Sequence, residues 1–129
     1  MYLTLTSDEY DFMSVFVKPN DKNFIIHYVS GSIKFPNKIK ECYKKQKEIE
    51  SDMSKLFTNV KKSNHEAIFP WDSTGESKSK YVQLIFESGN AITISCSNFS
   101  NQAKSEASME DGLSIELSLK EVEDWFVNY

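Results

Sequence analysis

The chain has 129 residues, the size of one compact domain, which leaves no room for separate cofactor and substrate domains. Hydrophobic residues make up 40% and aromatic residues 13%, enough apolar surface to close one core without metal or disulfide staples, and four glycines standing apart at 31, 75, 89 and 112 exclude a Walker loop and a G-x-G-x-x-G turn. The net charge of −4 hides an uneven spread: residues 34–62 carry nine lysines against four acids, residues 104–129 carry two against seven, and arginine, the side chain that forks onto phosphates and guanines, is missing altogether.

Residues 2–6 and 12–18 are short β-prone runs, the second broken by Pro19-Asn20-Asp21. Residues 24–29, Phe-Ile-Ile-His-Tyr-Val, read as a strand apolar on both faces, as in a central strand covered from two sides. Ser30-Gly31-Ser32 reads as a turn, with a brief returning strand over residues 33–35. One long helix is expected over residues 37–63, with Asn37 as N-cap and Lys61 and Lys62 at the negative end of its dipole. Its stripe is Ile39, Cys42, Gln46, Ile49, Met53, Leu56 and Val60, spaced alternately by three and four, and is suited to packing on the protein's own sheet. Residues 63–80 read as a loop that carries Ile68, Phe69 and Trp71, either pinned to the core or held out for a partner. Residues 81–87 and 91–97, joined by Ser88-Gly89-Asn90, form a β-hairpin, and residues 98–112 form an acidic loop. Leu113, Ile115, Leu117 and Leu119 then alternate as one strand face. Ser118-Leu119-Lys120-Glu121 has capping-box spacing for a short last helix with Val122, Trp125 and Phe126, of which Trp125 is expected in the core. The sum is an α+β domain, 1–129, in which a mainly antiparallel β-sheet of six or so strands is packed by one long helix, with a short C-terminal helix closing an edge.

Chemistry-bearing patterns are sparse. His27 and His65 are the only histidine bases, and His27 lies in the most apolar strand, where a structural role is expected. His65, Glu66 and Asp72 do not share a metal-ligand spacing, so no metal and no cofactor is expected, and no paired carboxylates stand out for acid–base work. Lysines cluster on the helix instead of interleaving with strand aromatics, which disfavours direct nucleic-acid binding. No apolar run is long enough for a membrane span and the N-terminus lacks a basic export region, so the expected compartment is the cytoplasm. There Cys42 and Cys96, each near an apolar stripe, are expected as buried free thiols, a disulfide being the alternative.

From residue 81 to 126 the order is strand, Ser-Gly-Asn turn, strand, acidic loop, the strand Asp111-Gly112-Leu113-Ser114-Ile115-Glu116-Leu117-Ser118, then Glu121-Val122-x-x-Trp125-Phe126. This third of the chain resembles the C-terminal half of small immunity proteins of bacterial polymorphic-toxin systems, including those of contact-dependent growth inhibition. The resemblance implies a cytoplasmic protein that is not an enzyme and that occludes the active site of a cognate toxin domain, commonly a nuclease. A non-catalytic adaptor of another system and a small enzyme with an unrecognised site are the alternatives. A surface that binds polyanions is basic, so an inhibitor of it is expected to present acids around an aromatic anchor. The candidate partner-binding residues are therefore Trp71, Asp72 and Glu76 in residues 65–77, and Glu106, Glu110 and Asp111 in residues 105–111, two stretches that could share one edge of the sheet.

Overall fold

The computed structural model describes residues 8–122 in full and the backbone of residues 2–5; the expected burial of Trp125 lies outside the described residues. Among the described residues seven strands form one antiparallel sheet: β1 (Tyr2–Leu5), β2 (Phe12–Val17), β3 (Ile26–Lys34), β4 (Val60–Ile68), β5 (Lys78–Phe86), β6 (Ala91–Asn98) and β7 (Gly112–Ser118), in the spatial order β1-β2-β3-β7-β6-β5-β4. Helix α1 (Ile39–Leu56) packs across one face, and a short helix α2 (Asn101–Glu106) follows β6. The α+β class and the antiparallel sheet agree with the sequence pattern. The expected β5–β6 hairpin is present, with Leu84 opposite Ile92 and Val82 opposite Ile94.

Alternation along β5, β6 and β7 sends Val82, Leu84, Ile92, Ile94, Cys96 and Leu113 to the helix side, where they meet Cys42 and Ile49 of α1. Gln46 lies in the same buried stripe, and its side-chain amide donates to the backbone carbonyls of Lys80 (2.9 Å) and Ile94 (2.8 Å), satisfying a polar group that would otherwise be costly there. The opposite face carries short polar side chains in register, Ser14 beside Ser30 (Oγ–Oγ 2.7 Å), Ser32 opposite Ser114, and Ser30 opposite Glu116.

Five expectations are corrected. The helix spans 18 residues and ends at Leu56, not near Ser63, because the apolar spacing that runs on to Val60 also suits a strand: Phe57, Val60 and Phe86 reach the same core from the β4–β5 side, with Phe57 edge-on to Phe86 at 5.2 Å. Asn37 is not the cap; its backbone is left-handed (φ 57°), Lys38 occupies the cap position, and the Asn37 side-chain Oδ1 accepts from Lys104 Nζ (3.0 Å). Gly31 makes no turn but lies within the continuous strand β3, where a Cβ would stand 2.9 Å from Cδ1 of the Tyr10 ring, so the residue is small to admit an aromatic face. Phe24, Ile25 and Ile26 are exposed, not the buried start of a strand covered from two sides.

The cysteines are the fifth correction. Cys42 of α1 and Cys96 of β6 form a disulfide (Cα–Cα 6.1 Å) in the centre of the core, not two free thiols. The helical stripe brings Cys42 down onto the strand face that carries Cys96, a juxtaposition that local spacing does not reveal. No helix among the described residues is long and apolar enough to cross a membrane.

Candidate partner-binding surface

The loops that carry the candidate acids meet at one end of the sheet. β4 leaves at Ile68, and the hydrogen bond from Phe69 N–H to the Ser77 carbonyl (3.0 Å) closes the β4–β5 connection. Within it Asp72 N–H donates to the Phe69 carbonyl and Gly75 N–H to the Asp72 carbonyl, both at 3.2 Å; Gly75 takes the left-handed φ of 69° that favours glycine.

The Asp72 side chain points inward. Its carboxylate accepts from the Ser77 hydroxyl, the Ser100 hydroxyl (2.7 Å), the Thr74 hydroxyl (2.8 Å) and the Thr74 backbone N–H (3.0 Å). Ser100 is also the N-cap of α2, accepting from Ala103 N–H (3.1 Å), while its own N–H donates to Ser77 Oγ (2.9 Å). One carboxylate thus ties the β4–β5 loop to the start of α2. These bonds, from Ser77 first and Ser100 next, hold the Asp72 carboxyl well below the usual carboxylate range, outweighing desolvation. A depressed folded-state pKa means stability that is present above the unfolded value of about 3.9 and lost as pH falls towards the folded value. Wild-type protein is therefore expected to lose thermal stability below about pH 4 more steeply than Asp72→Asn, a difference read from melting curves taken down the acid limb.

Asp111 is likewise internal. Its carboxylate accepts from the Phe99 backbone N–H (2.9 Å) and from Lys104 Nζ (3.0 Å), and its carbonyl accepts from Phe35 N–H (2.9 Å), which joins the ends of β3, β6 and β7. The other acids face outward: Glu76 is exposed in its loop, Glu106 accepts from Gln102 Nε2 (3.0 Å), and Glu110 pairs with Lys34 at 3.4 Å. Of the six candidate residues, the structure turns Asp72 and Asp111 into the protein and leaves Trp71, Glu76, Glu106 and Glu110 at the surface.

Trp71 is 53% exposed, although it leans on an aromatic cluster: its ring centroid lies 5.7 Å from that of Phe69 and 6.1 Å from that of Phe99, which themselves stack at 5.2 Å. One side of the indole thus braces the loop and the other is open to solvent. The other chemistry-bearing residues do not converge. His65 Nε2 lies 2.8 Å from Ser63 Oγ and its ring stacks on Tyr81, Glu66 pairs with Lys78 at 3.6 Å, and Asp72 is occupied as described. Buried His27 has Nδ1 2.8 Å from Glu121 Oε1. Sequence reasoning missed α2, whose signal was Ser100 three residues before Ala103 within a segment read as loop.

With this geometry in place the class is an α+β domain whose loop segments at one end of the sheet carry exposed Trp71, Glu76, Glu106 and Glu110. A scan against protein-family models and searches of curated proteins and solved structures each gave no match.

Proposed function

We propose that this chain is an immunity protein, a non-catalytic binder that neutralises a basic toxin domain of the nuclease type by covering its active site. The observation that carries the reading is the open face of Trp71, braced by Phe69 and Phe99 on a loop that the Asp72 carboxylate fastens to α2, with Glu76 and Glu106 exposed on the same two segments. A pre-ordered aromatic anchor loses little freedom on binding, and acids near it steer a basic partner. The alternating Ser-Gly-Asn hairpin, acidic segment and final strand supply the family resemblance.

Such a binder acts in the cytoplasm if its toxin does. The Cys42–Cys96 bond instead favours assembly in an oxidising compartment, so the oxidation state of the two cysteines in cells separates a cytoplasmic guard from an exported one.

The test begins with co-purification from the native host and identification of the bound protein by mass spectrometry. Trp71→Ala is then expected to speed dissociation, with a binding loss on the order of 2 kcal/mol, while Glu76→Lys and Glu106→Lys slow association most at low salt. Melting of the free variants is measured alongside. Unchanged binding in all three variants, or a Trp71→Ala loss matched by unfolding of the free protein, would remove this surface from the reading.

A further inference from the structure

The sheet has two edges, and they differ. β1 is a strand of four residues, whereas β4 runs for nine, Val60–Ile68, in uninterrupted register with β5 and without a proline or a bulge, and its other side meets no strand among the described residues. Open edges of that length are a template for pairing with another strand unless something blunts them.

The direction of the unpaired groups follows from the register. In an antiparallel pair the residues that exchange N–H and C=O bonds alternate with those that do not. Phe69 N–H donates to the Ser77 carbonyl, one step beyond the pair Ala67 and Ser79, so the odd-numbered residues of β4 turn their backbone groups to β5. The even-numbered residues Val60, Lys62, Asn64, Glu66 and Ile68 therefore present theirs to the open edge.

We propose that β4 pairs with β4 of a second copy of this chain, antiparallel about a two-fold axis at Asn64, to make one continuous sheet across a homodimer. Only even residues can form this ladder, and among the two-fold registers available to them the one centred on Asn64 uses the whole strand. It sets Lys62 opposite Glu66 of the other copy, Val60 opposite exposed Ile68, and Ser63 opposite His65. Registers moved two residues along either way put Lys62 opposite Lys62 or Glu66 opposite Glu66, which like charges disfavour. Within each chain Lys62 already pairs with Glu50 and Glu66 with Lys78, so the register also builds a row of alternating sign, Glu50, Lys62, then Glu66 and Lys78 of the second copy. Lysines on an edge strand usually keep strands apart; here the acid four residues on converts Lys62 from a block into a selector of one register.

The purified protein alone, without any toxin, tests this by sedimentation velocity and light scattering up to about 100 µM, a range that captures weak specific association. A dimer is expected. Asn64→Pro removes an N–H that points away from β5, so the monomer keeps its fold, as its melting curve would confirm, while the two bonds at the axis are lost and dissociation rises about thirty-fold or more. Glu66→Lys and Lys62→Glu are each expected to weaken self-association, and a mixture of the two to form a heterodimer, an outcome that simple destabilisation of either chain would not produce. A wild-type protein that stays monomeric, a dimer indifferent to Asn64→Pro, or a mixture that fails to recover association would overturn the proposal. A monomer that instead gains a strand from another protein would show that the edge serves a different partner.

Discussion

Cleaving the Cys42–Cys96 bond, by reductant or by Cys42→Ala with Cys96→Ala, is expected to lower the free energy of unfolding by about 4 kcal/mol, the chain-entropy value for a closed loop of this length. The two residues are 54 apart in sequence, and the bond fastens α1 to β6 across the core. Small domains have about 5–15 kcal/mol in total, so the bond is a large share of the margin. Both sulfurs are fully buried among Ile49, Leu84, Ile94 and Leu113, so reduction should be slow in native buffer and fast once the chain opens. Urea unfolding with and without reductant measures the effect, and alkylation of unfolded, unreduced protein should add no label whereas reduction exposes two sites. Coincident unfolding curves would show that the bond adds nothing to the core it crosses.

Asp111→Ala is expected to be the most damaging change at the loop end of the sheet, costing about 2–4 kcal/mol. Asp111 is 2% exposed, and its removal leaves the buried Phe99 N–H without an acceptor and Lys104 without its buried counter-charge. Asp111→Asn keeps an acceptor for the N–H but loses the charge and the second oxygen that accepts from Lys104, so it should fall between wild type and alanine. Denaturant unfolding of the three proteins orders them. The result matters for the proposed surface, because charge reversal at Asp111 would weaken partner binding through the fold and so mimic a contact. Glu76 and Glu106, whose side chains stand in solvent, are the acids whose reversal reports on a partner.

Local alternation was legible wherever burial on one side is set by neighbours close in sequence. The hairpin of β5 and β6 has apolar residues every second position around a Ser-Gly-Asn turn, and β7 repeats the pattern with Leu113, Ile115 and Leu117. The helix face was legible for the same reason, since Cys42, Gln46 and Ile49 recur at helical spacing and all three are buried. The end of the helix was not. Spacing of three and four through Leu56 to Val60 satisfies a helical stripe, yet a chain that turns at Phe57 and returns as β4 buries Phe57 and Val60 against Phe86 as well.

Composition and pattern by themselves determined a small α+β domain, its antiparallel hairpin, its final strand and the apolar stripe of its helix, because each follows from periodicity within a few residues. Four matters were left to the tertiary structure. Cys42 and Cys96 join because two separate elements cross at those positions, and Gly31 is small because a Tyr10 ring lies over it. Asp72 and Asp111 turn inward because Ser77, Ser100, Phe99 and Lys104, between 5 and 28 residues away in sequence, bring donors to them. The edge of β4 meets no strand among the described residues because sheet order places this strand last, and that order rests on long-range pairings that no local pattern contains.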